Sequence, residues 1–364
     1  MVKSAKYQSF MNFFKRREKL RERLKEESVD AFLTFYPPHL FYLTGFEGEG
    51  AFLLLKGEGF LFTDYRYLPQ KIGEEEWKFV GVEKDLLSTL KEKVKELKIS
   101  KIAFEENHIS VKMRKELNKF RKIKWKGTSG WVEEERMCKD KDELNRIFEA
   151  VKIAQDVMEE VPSYLNECLS ERDLAIEIEY LLRKKGSDTL PFPPIVASGE
   201  SSSLPHARPQ KNIIEKGPLI VDIGAKVEGY CSDITFTFFL GSQSRKWKER
   251  ENLIDEAIEK AISLIEPGKE VREVFHQISS FFHKNRVREN FLHALGHGVG
   301  IEVHERPYLS WKEKEKFRVG MVFTLEPGLY FPGEGGIRKE IMVYINEKGK
   351  PVKIWEEKNG VCGY

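Results

Sequence analysis

Short apolar runs alternate with charged, helix-patterned segments in the first third of the chain. Apolar runs at 31–35, 51–55 and 60–63 are bounded by glycine and proline and predict buried strands. Residues 11–27 and 85–100 instead space their apolar side chains three or four apart among many charges, which predicts surface helices. Strands and helices in this order are typical of a layered α/β domain.

Further along the chain, longer helical patterns are interleaved with strand pairs. Asp140 and Ser170 are predicted N-caps, each followed by apolar residues at helical spacing. Two more helices are predicted over about 246–265 and 270–285. Strand pairs are predicted at 218–224 with 228–240, and at 320–326 with 337–345. Helices beside antiparallel hairpins indicate an α+β domain.

The length of the chain fits two domains. It has 364 residues, 40% of them hydrophobic, which is enough apolar material for two cores. The periodic patterns break near 127–139, where glycine and then glutamate accumulate. We therefore expect an α/β domain over 1–135 and an α+β domain over 136–364.

Charge and hydropathy argue against several classes of protein. The 61 Lys and Arg nearly balance 59 Asp and Glu, so the net charge of +2 gives no overall attraction for nucleic acid or membrane. The basic run at 119–126 fits an edge strand equally well. No apolar run predicts a transmembrane helix, no signal-peptide pattern is present, and the four cysteines are too scattered for a disulfide frame. These features predict a cytoplasmic protein.

Five residues of the second predicted domain carry unusual chemistry for their surroundings. Asp222 and Asp233 lie in apolar strands on either side of a predicted hairpin. Glu326 and Glu340 occupy similar positions on a second predicted hairpin. His297 lies among glycines that would let the backbone approach a ligand closely. A carboxylate in an apolar strand is costly unless it is paired or binds a cation. One such residue is most often a turn or edge residue, but five in one domain favour a metal site. Four carboxylates and an imidazole suit Mn, Co, Fe or Zn, and two dications would balance the charge.

This ordered set, with its local sequences, resembles the metallopeptidases of the pita-bread fold, which include methionine aminopeptidase, aminopeptidase P and prolidase. The resemblance covers the whole chain, and the first domain is similar to the creatinase-like domain of Xaa-Pro peptidases. It implies an α/β N-terminal creatinase-like domain over 1–135, followed by an α+β pita-bread catalytic domain over 136–364. It also implies a homodimer.

The resemblance implies a role for each metal-site residue. Asp222 would bind one divalent ion, His297 and Glu326 the other, and Asp233 and Glu340 would bridge the two. Mn or Co would be the metal, with Zn or Fe as alternatives. A water held between the ions would be the nucleophile, and Glu326 the general base.

The same resemblance implies roles for three residues around the metal ligands. Arg338 would hold a ligand carboxylate in place. His206 and His304 would contact the substrate and stabilise the negative charge that develops on the carbonyl oxygen. The other histidines are interpreted as structural: His39, His108, His276, His283 and His293.

The implied activity is that of a metal-dependent Xaa-Pro aminopeptidase, which hydrolyses the bond between the first residue of a peptide and a proline in second position. The alternative is an Xaa-Pro dipeptidase (prolidase) restricted to dipeptides. Several prolidases hold the dipeptide carboxylate with an arginine shortly after the His-Glu-x-Pro segment, whereas here Tyr308 follows Pro307, which favours the aminopeptidase. The intact ligand set argues against a metal-free creatinase-like hydrolase and against a non-catalytic pita-bread binding module.

Overall fold

The computed structural model describes residues 12–67, 77–165 and 169–354. The chain divides into two compact units, Met1–Arg136 and Met137–Tyr364. Among the described residues, Cys138 and Cys231 form no disulfide, and Cys168 and Cys362 lie outside the described residues. Met11, the first residue of the helix predicted over 11–27, also lies outside the described residues.

The first unit contains five α-helices and six strands within its described residues. Their bounds, in chain order, are α1 Phe13–Glu26, β1 Ala31–Thr34, α2 Pro37–Thr44, β2 Gly50–Leu55, β3 Gly59–Thr63, β4 Trp77–Gly81, α3 Leu86–Glu96, β5 Lys101–Glu105, α4 Val111–Leu117, β6 Lys124–Thr128 and α5 Trp131–Arg136. A 3-10 turn, Glu106–His108, follows β5.

The strands of the first unit form one mixed sheet in the order β4-β3-β2-β1-β5-β6. β1 pairs antiparallel with β2 and parallel with β5. Every residue of β1 and β3 is buried, so both faces of the sheet are covered. On one face, Leu90 and Val94 of α3 join a core with apolar side chains of β1, β2 and β3. The predicted α/β layering is confirmed.

Helix α1 is more buried than its charged sequence predicts. Phe14, an apolar residue, is 51% exposed, whereas Arg16 and Arg17 are buried. Arg16 Nη1 donates to the carbonyl of Tyr42 at 3.2 Å, and Arg17 Nη1 donates to the carbonyl of Leu43 at 2.7 Å. These carbonyls belong to the last turn of α2, where no intrahelical donor is available. The arginines are therefore buried because they cap another helix.

The second unit contains four α-helices and twelve short strands within its described residues. Their bounds are α6 Lys141–Tyr164, α7 Glu171–Lys184, β7 Ile195–Ser198, β8 Gly217–Ile223, β9 Lys226–Val227, β10 Tyr230–Cys231, β11 Ile234–Leu240, α8 Arg245–Leu264, α9 Val271–Lys284, β12 His297–Gly298, β13 Glu305–Tyr308, β14 Val322–Leu325, β15 Gly328–Phe331, β16 Gly335–Arg338, β17 Ile341–Ile345 and β18 Pro351–Lys353.

Both predicted N-caps in this unit are confirmed. The Asp140 side chain accepts from the backbone N–H of Glu143, whose own side chain accepts from the backbone of Asp140. Ser170 and Asp173 form the same reciprocal arrangement at the start of α7. Each arrangement satisfies backbone N–H groups that have no partner inside the helix.

Two sheets, each covered by a pair of helices, form the core of the second unit. Helices α6 and α7 pack on the sheet β11-β8-β7. Helices α8 and α9 pack on the sheet β13-β12-β14-β17-β18. The sheets meet where Thr235 and Glu340 form an isolated antiparallel bridge. The predicted α+β architecture is confirmed, and its two halves enclose the acidic residues of both hairpins.

The second predicted hairpin differs from expectation in its interior. β14 pairs with β17 as the pattern predicts, but the chain between them forms an inner hairpin of β15 and β16. Gly333 and Gly335 have φ of +77° and +129°, conformations that other residues adopt only with strain. Because Leu325 pairs with Ile341, Glu326 and Glu340 face each other where the outer hairpin passes into the inner one.

Candidate active site

Two aspartates lie at the paired ends of β8 and β11. Asp222 is the next-to-last residue of β8 and lies opposite Thr235, while Asp233 directly precedes β11. Both carboxylates are buried. Asp222 Oδ1 and Asp233 Oδ1 have no hydrogen-bond partner, and an unpaired charged oxygen is costly to bury. A bound cation would remove that cost.

Two glutamates approach from the other sheet. Glu340 Oε2 accepts a 2.8 Å hydrogen bond from Thr235 Oγ1, and Glu340 Oε1 is buried without a partner. The backbone N–H of Glu326 donates to the Leu295 carbonyl at 2.9 Å, which fixes where its side chain leaves the chain. The Glu326 side chain is 17% exposed, so it is accessible from solvent as well as from the ligand cluster.

His297 on β12 completes the group of five residues. Its Nδ1 lies 3.2 Å from the Gly298 carbonyl, which can only accept, so Nδ1 carries the proton. Its Nε2 lies 3.5 Å from Asp233 Oδ2 and 3.4 Å from Glu326 Oε1. Burial and the neighbouring His304 lower the pKa of His297 to about 3. The imidazole is therefore neutral and directs its Nε2 lone pair at the carboxylates, as metal binding requires.

The glycines around His297 allow a close backbone approach, but to neighbouring segments of the protein. A Cβ on Gly296 would lie 2.0 Å from the Thr324 carbonyl oxygen, and one on Gly298 would lie 2.2 Å from the Arg306 carbonyl oxygen. The sequence suggested that these glycines make room for a ligand. In the structure these glycines let β12 pack closely against the Thr324 and Arg306 backbone of the same chain, and this packing positions His297.

The ligand atoms fall into overlapping groups. Asp222, Asp233 and Glu340 each offer one oxygen within 4.8 Å of the other two, and the same holds for ligand atoms of His297, Glu326 and Glu340. Glu340 belongs to both groups. Four carboxylates and one imidazole with unpartnered oxygens can hold two divalent ions that share a bridging carboxylate.

The electrostatics of these carboxylates also indicate a cation site. Burial, reinforced by Glu340 and Asp222, raises the pKa of Asp233 well above its usual range. Burial raises the pKa of Glu340 in the same direction, with Glu326 and Asp222 adding to it. Burial raises the pKa of Glu326 to about 8, although Arg338 opposes the shift. Nearby dications would favour the ionised carboxylates and reverse these shifts.

Arg338 is buried beside the ligands and makes several hydrogen bonds. Its Nη2 donates to Asp222 Oδ2 at 2.7 Å, and its Nε donates to Thr235 Oγ1 at 3.2 Å. Its Nη1 donates to the Pro205 carbonyl and to the Tyr330 hydroxyl, each at 2.9 Å. Arg338 therefore orients Asp222 directly and, through Thr235, also affects Glu340.

Tyr330 and His293 belong to the same hydrogen-bond network, although the sequence did not identify them as site residues. The Tyr330 hydroxyl lies 2.9 Å from His293 Nε2, and His293 Nδ1 lies 3.7 Å from Glu326 Oε2. Tyr330 was missed because its proximity to Arg338 follows from the register of β15 and β16, in which Gly328 pairs with Arg338. His293 was interpreted as structural, but it contacts the proposed general base.

His206 and His304 lie near the ligands at accessible positions, and both are exposed. The ring of His304 is 4.1 Å from that of His297, centroid to centroid. Partial desolvation of the His304 ring lowers its pKa, Asp222 opposes the shift, and His206 contributes to it. His206 therefore lies close enough to influence His304 electrostatically, next to the Pro205 carbonyl that accepts from Arg338.

A buried ion pair supports the segment that carries His304. Lys139 Nζ donates to Glu305 Oε1 at 2.7 Å, and the side chains of both residues are almost fully buried. Glu305 begins β13, directly after His304. No local sequence pattern predicts this pair, because its members are 166 residues apart.

Comparison with known families identifies the protein class. The model of metallopeptidase family M24 matches residues 145–347, and the model of the creatinase/prolidase N-terminal domain matches residues 16–138. The chain belongs to metallopeptidase family M24. The first match lies over the ligand cluster and the second over the mixed α/β sheet, so the family resemblance inferred from the sequence is confirmed.

Several relatives of this M24 chain are named as Xaa-Pro peptidases. It is 32% identical to an Xaa-Pro dipeptidase from Pyrococcus horikoshii over 335 residues, which cover 91% of this chain and 94% of that protein. A structure of an Xaa-Pro dipeptidase from Bacillus anthracis is similar with a TM-score of 0.90 at 32% identity, covering 96% and 99% of the two chains. An X-Pro aminopeptidase from Thermotoga maritima has a TM-score of 0.84 at 31% identity, covering 93% and 99%.

None of the described helices combines the length and the apolar character needed to cross a bilayer.

Proposed function

We propose that this chain is an Xaa-Pro dipeptidase that uses two divalent metal ions. Asp222, Asp233, His297, Glu326 and Glu340 would be the ligands, with Asp233 and Glu340 shared between the ions. Mn or Co would be the working metal. The sequence favoured the aminopeptidase, but relatives named as dipeptidases at 32% identity support the dipeptidase alternative better.

One observation carries the metal assignment. Three buried carboxylate oxygens, Asp222 Oδ1, Asp233 Oδ1 and Glu340 Oε1, have no hydrogen-bond partner, and one ligand oxygen of each of these residues lies within 4.8 Å of the other two. Native proteins pair nearly all buried polar atoms. Three unpaired oxygens in one cluster, with like charges around them, therefore favour cations as their partners.

The metal ions, Glu326 and Arg338 would each have a different role in the reaction. Bound divalent ions would polarise the scissile carbonyl and lower the pKa of the attacking water molecule, so that it loses a proton more easily. Glu326 would accept a proton from that water, because its side chain is accessible and it lies 3.4 Å from His297. Arg338 would keep the Asp222 carboxylate oriented through their 2.7 Å hydrogen bond.

Two histidines would assist the tetrahedral stage of the reaction. His304 and His206 are exposed beside the ligand cluster, and a donor there would stabilise the charge that develops on the carbonyl oxygen. The proline nitrogen leaves only after it gains a proton. Glu326 would supply the proton that it took from the water.

A second candidate function is an Xaa-Pro aminopeptidase that accepts longer peptides. Two observations favour it: Tyr308 occupies the position after Pro307, and the Thermotoga maritima aminopeptidase is nearly as similar in sequence as the dipeptidases. Arg306 Nη2 lies 3.3 Å from Glu315 Oε2 and 3.8 Å from Glu313 Oε1. Arg306 lies inside the His-Glu-x-Pro segment and is paired with acidic side chains, so it does not take the place of the arginine that follows this segment in several prolidases.

The two candidates are separated by one kinetic comparison. The kcat/KM of the Mn²⁺-loaded protein is measured for Ala-Pro, Ala-Pro-Ala and Ala-Ala. A dipeptidase prefers Ala-Pro over Ala-Pro-Ala by at least about tenfold, whereas an aminopeptidase cleaves the tripeptide at least as well. Cleavage of Ala-Ala at an equal rate would contradict proline specificity in either form.

We also propose that the site lies wholly within the catalytic domain over 136–364, and that the chain works as a cytoplasmic homodimer. The first point is supported because every proposed ligand comes from the unit Met137–Tyr364. The second follows from the sequence features and the family resemblance. Sedimentation of the purified chain tests the dimer directly, since a monomer has half the mass.

A further inference from the structure

Two histidines and a glutamate meet in the first unit, which supplies none of the proposed peptidase ligands. His39 lies on α2, His108 ends the 3-10 turn Glu106–His108, and Glu133 lies on α5. Each offers a ligand atom within 4.8 Å of the other two. Three separate stretches of chain therefore bring nitrogen and oxygen donors to one point.

His39 is oriented like a metal ligand. Its side chain is fully buried. Its Nδ1 is paired with Glu105 Oε1, and its Nε2 is buried without a hydrogen-bond partner. Histidines that bind metals with one nitrogen commonly donate the N–H of the other to a carboxylate. The pairing with Glu105 thus leaves Nε2 with its lone pair free, in a place where an unpaired nitrogen is costly.

The other two donors are held in place but can be reached from solvent. His108 Nε2 lies 2.9 Å from Glu133 Oε1, and their side chains are 20% and 21% exposed. The ring of Tyr36 stacks on His108 at 3.8 Å and meets His39 edge-on at 5.0 Å, measured between centroids. This aromatic side chain fixes both imidazoles, while the exposed edge of the cluster gives an ion a path of entry.

We propose that His39, His108 and Glu133 bind a zinc ion, with water as the fourth ligand and with Glu105 orienting His39. Two imidazoles and a carboxylate are a zinc ligand set. One dication also balances the two carboxylates, Glu105 and Glu133. Both histidines are expected from the sequence to be structural. They are 69 positions apart, and only the fold brings them together.

Zinc at this position would connect α2, the 3-10 turn after β5, and α5. Ions that bind only the folded chain stabilise it by mass action. Zinc binding should therefore stabilise the first unit, and this effect does not depend on the peptidase assignment.

The test uses the full chain in a background that lacks the bridging ligands of the peptidase site, Asp233→Asn with Glu340→Gln. Zinc content is measured after equilibrium dialysis against Zn²⁺. We expect one zinc per chain in this background and a loss of at least about tenfold in zinc affinity on adding either His108→Asn or Glu133→Gln. These two residues are partly exposed, so their substitution is compatible with folding, which circular dichroism checks.

His283→Asn is the matched control, because His283 is an exposed histidine on α9 and its loss should leave zinc binding unchanged. X-ray absorption at the zinc edge should show two imidazole ligands in the background variant. Zinc binding that is insensitive to His108→Asn, or no zinc binding in the background at all, would overturn the proposal. Because no step of this test measures hydrolysis, its outcome is separate from that of the proposed peptidase function.

Discussion

Arg338 Nη2 lies 2.7 Å from Asp222 Oδ2 and forms a buried ion pair between the inner hairpin and β8. The same guanidinium donates to Thr235, which in turn donates to Glu340. The Arg338 guanidinium thus orients two of the proposed metal ligands, Asp222 directly and Glu340 through Thr235. Its planar set of N–H donors can reach both Asp222 and Thr235, whereas a lysine ammonium has a single donor atom.

Arg338→Lys should therefore lower metal affinity or kcat/KM by about 10–100-fold, because the ligands lose their orienting partner. Metal titration and steady-state kinetics measure the change. Arg245→Lys is the control, since Arg245 is exposed and pairs with Glu249 in its own helix. Wild-type metal affinity and kcat/KM in Arg338→Lys would contradict this role.

Glu326→Gln tests the general base. The substitution keeps the shape of the side chain but removes its ability to take a proton, so kcat at saturating metal should fall by about 10²–10⁴-fold. The circular dichroism spectrum should not change. Glu347→Gln removes the same charge from an exposed turn and should retain full activity. The catalytic assignment of Glu326 fails if its glutamine variant turns over at the wild-type rate.

Gly296→Ala tests how β12 positions His297. An added Cβ would lie 2.0 Å from the Thr324 carbonyl oxygen, so the backbone must move, at a cost of about 1–3 kcal/mol. We expect a lower unfolding temperature and weaker metal binding. Gly57→Ala, where an added Cβ meets nothing within 4 Å, is the matched control. Equal behaviour of the two variants would show that the close approach at Gly296 is unimportant.

Asp30 provides a prediction about stability and pH in the first unit. Partial burial alone would raise its pKa, but hydrogen bonds from Ser100 and Lys101 outweigh this effect and lower the pKa of Asp30 below its usual value. A lowered folded-state pKa stabilises the protein above the unfolded-state pKa, and this contribution disappears as pH falls through the folded-state pKa.

Asp30→Asn should consequently cost about 1 kcal/mol at pH 7, with a smaller difference from wild type in strong acid. Thermal unfolding at pH 7 and near pH 3 measures both values. A difference that stays the same across this range would show that the charge of Asp30 contributes nothing.

Local sequence signals were sufficient for much of the fold. The N-caps Asp140 and Ser170, the alternation of strands and helices, and the pairing of β14 with β17 all follow from short-range patterns. The five acidic and histidine positions stood out because charge in an apolar strand needs a compensating partner. The structure places all five within two overlapping groups.

Other features depend on long-range contacts that no local pattern contains. From sequence alone, the arginines of α1 are expected to face solvent, but in the fold they are buried because they donate to carbonyls of α2. Tyr330 reaches Arg338 only through the register of the inner hairpin, and His39 meets His108 only after the chain folds. In each case a polar group finds its partner far away in sequence, where periodicity gives no information.

The most direct test of the central claim is hydrolysis of Ala-Pro by the purified chain after chelation and again after Mn²⁺ or Co²⁺ is restored, with metal content measured at each stage. We expect hydrolysis to disappear with the metal and to return when about two ions per chain are bound. Full hydrolysis by the metal-free chain, or no hydrolysis with both ions bound, would contradict the assignment of a dinuclear Xaa-Pro peptidase.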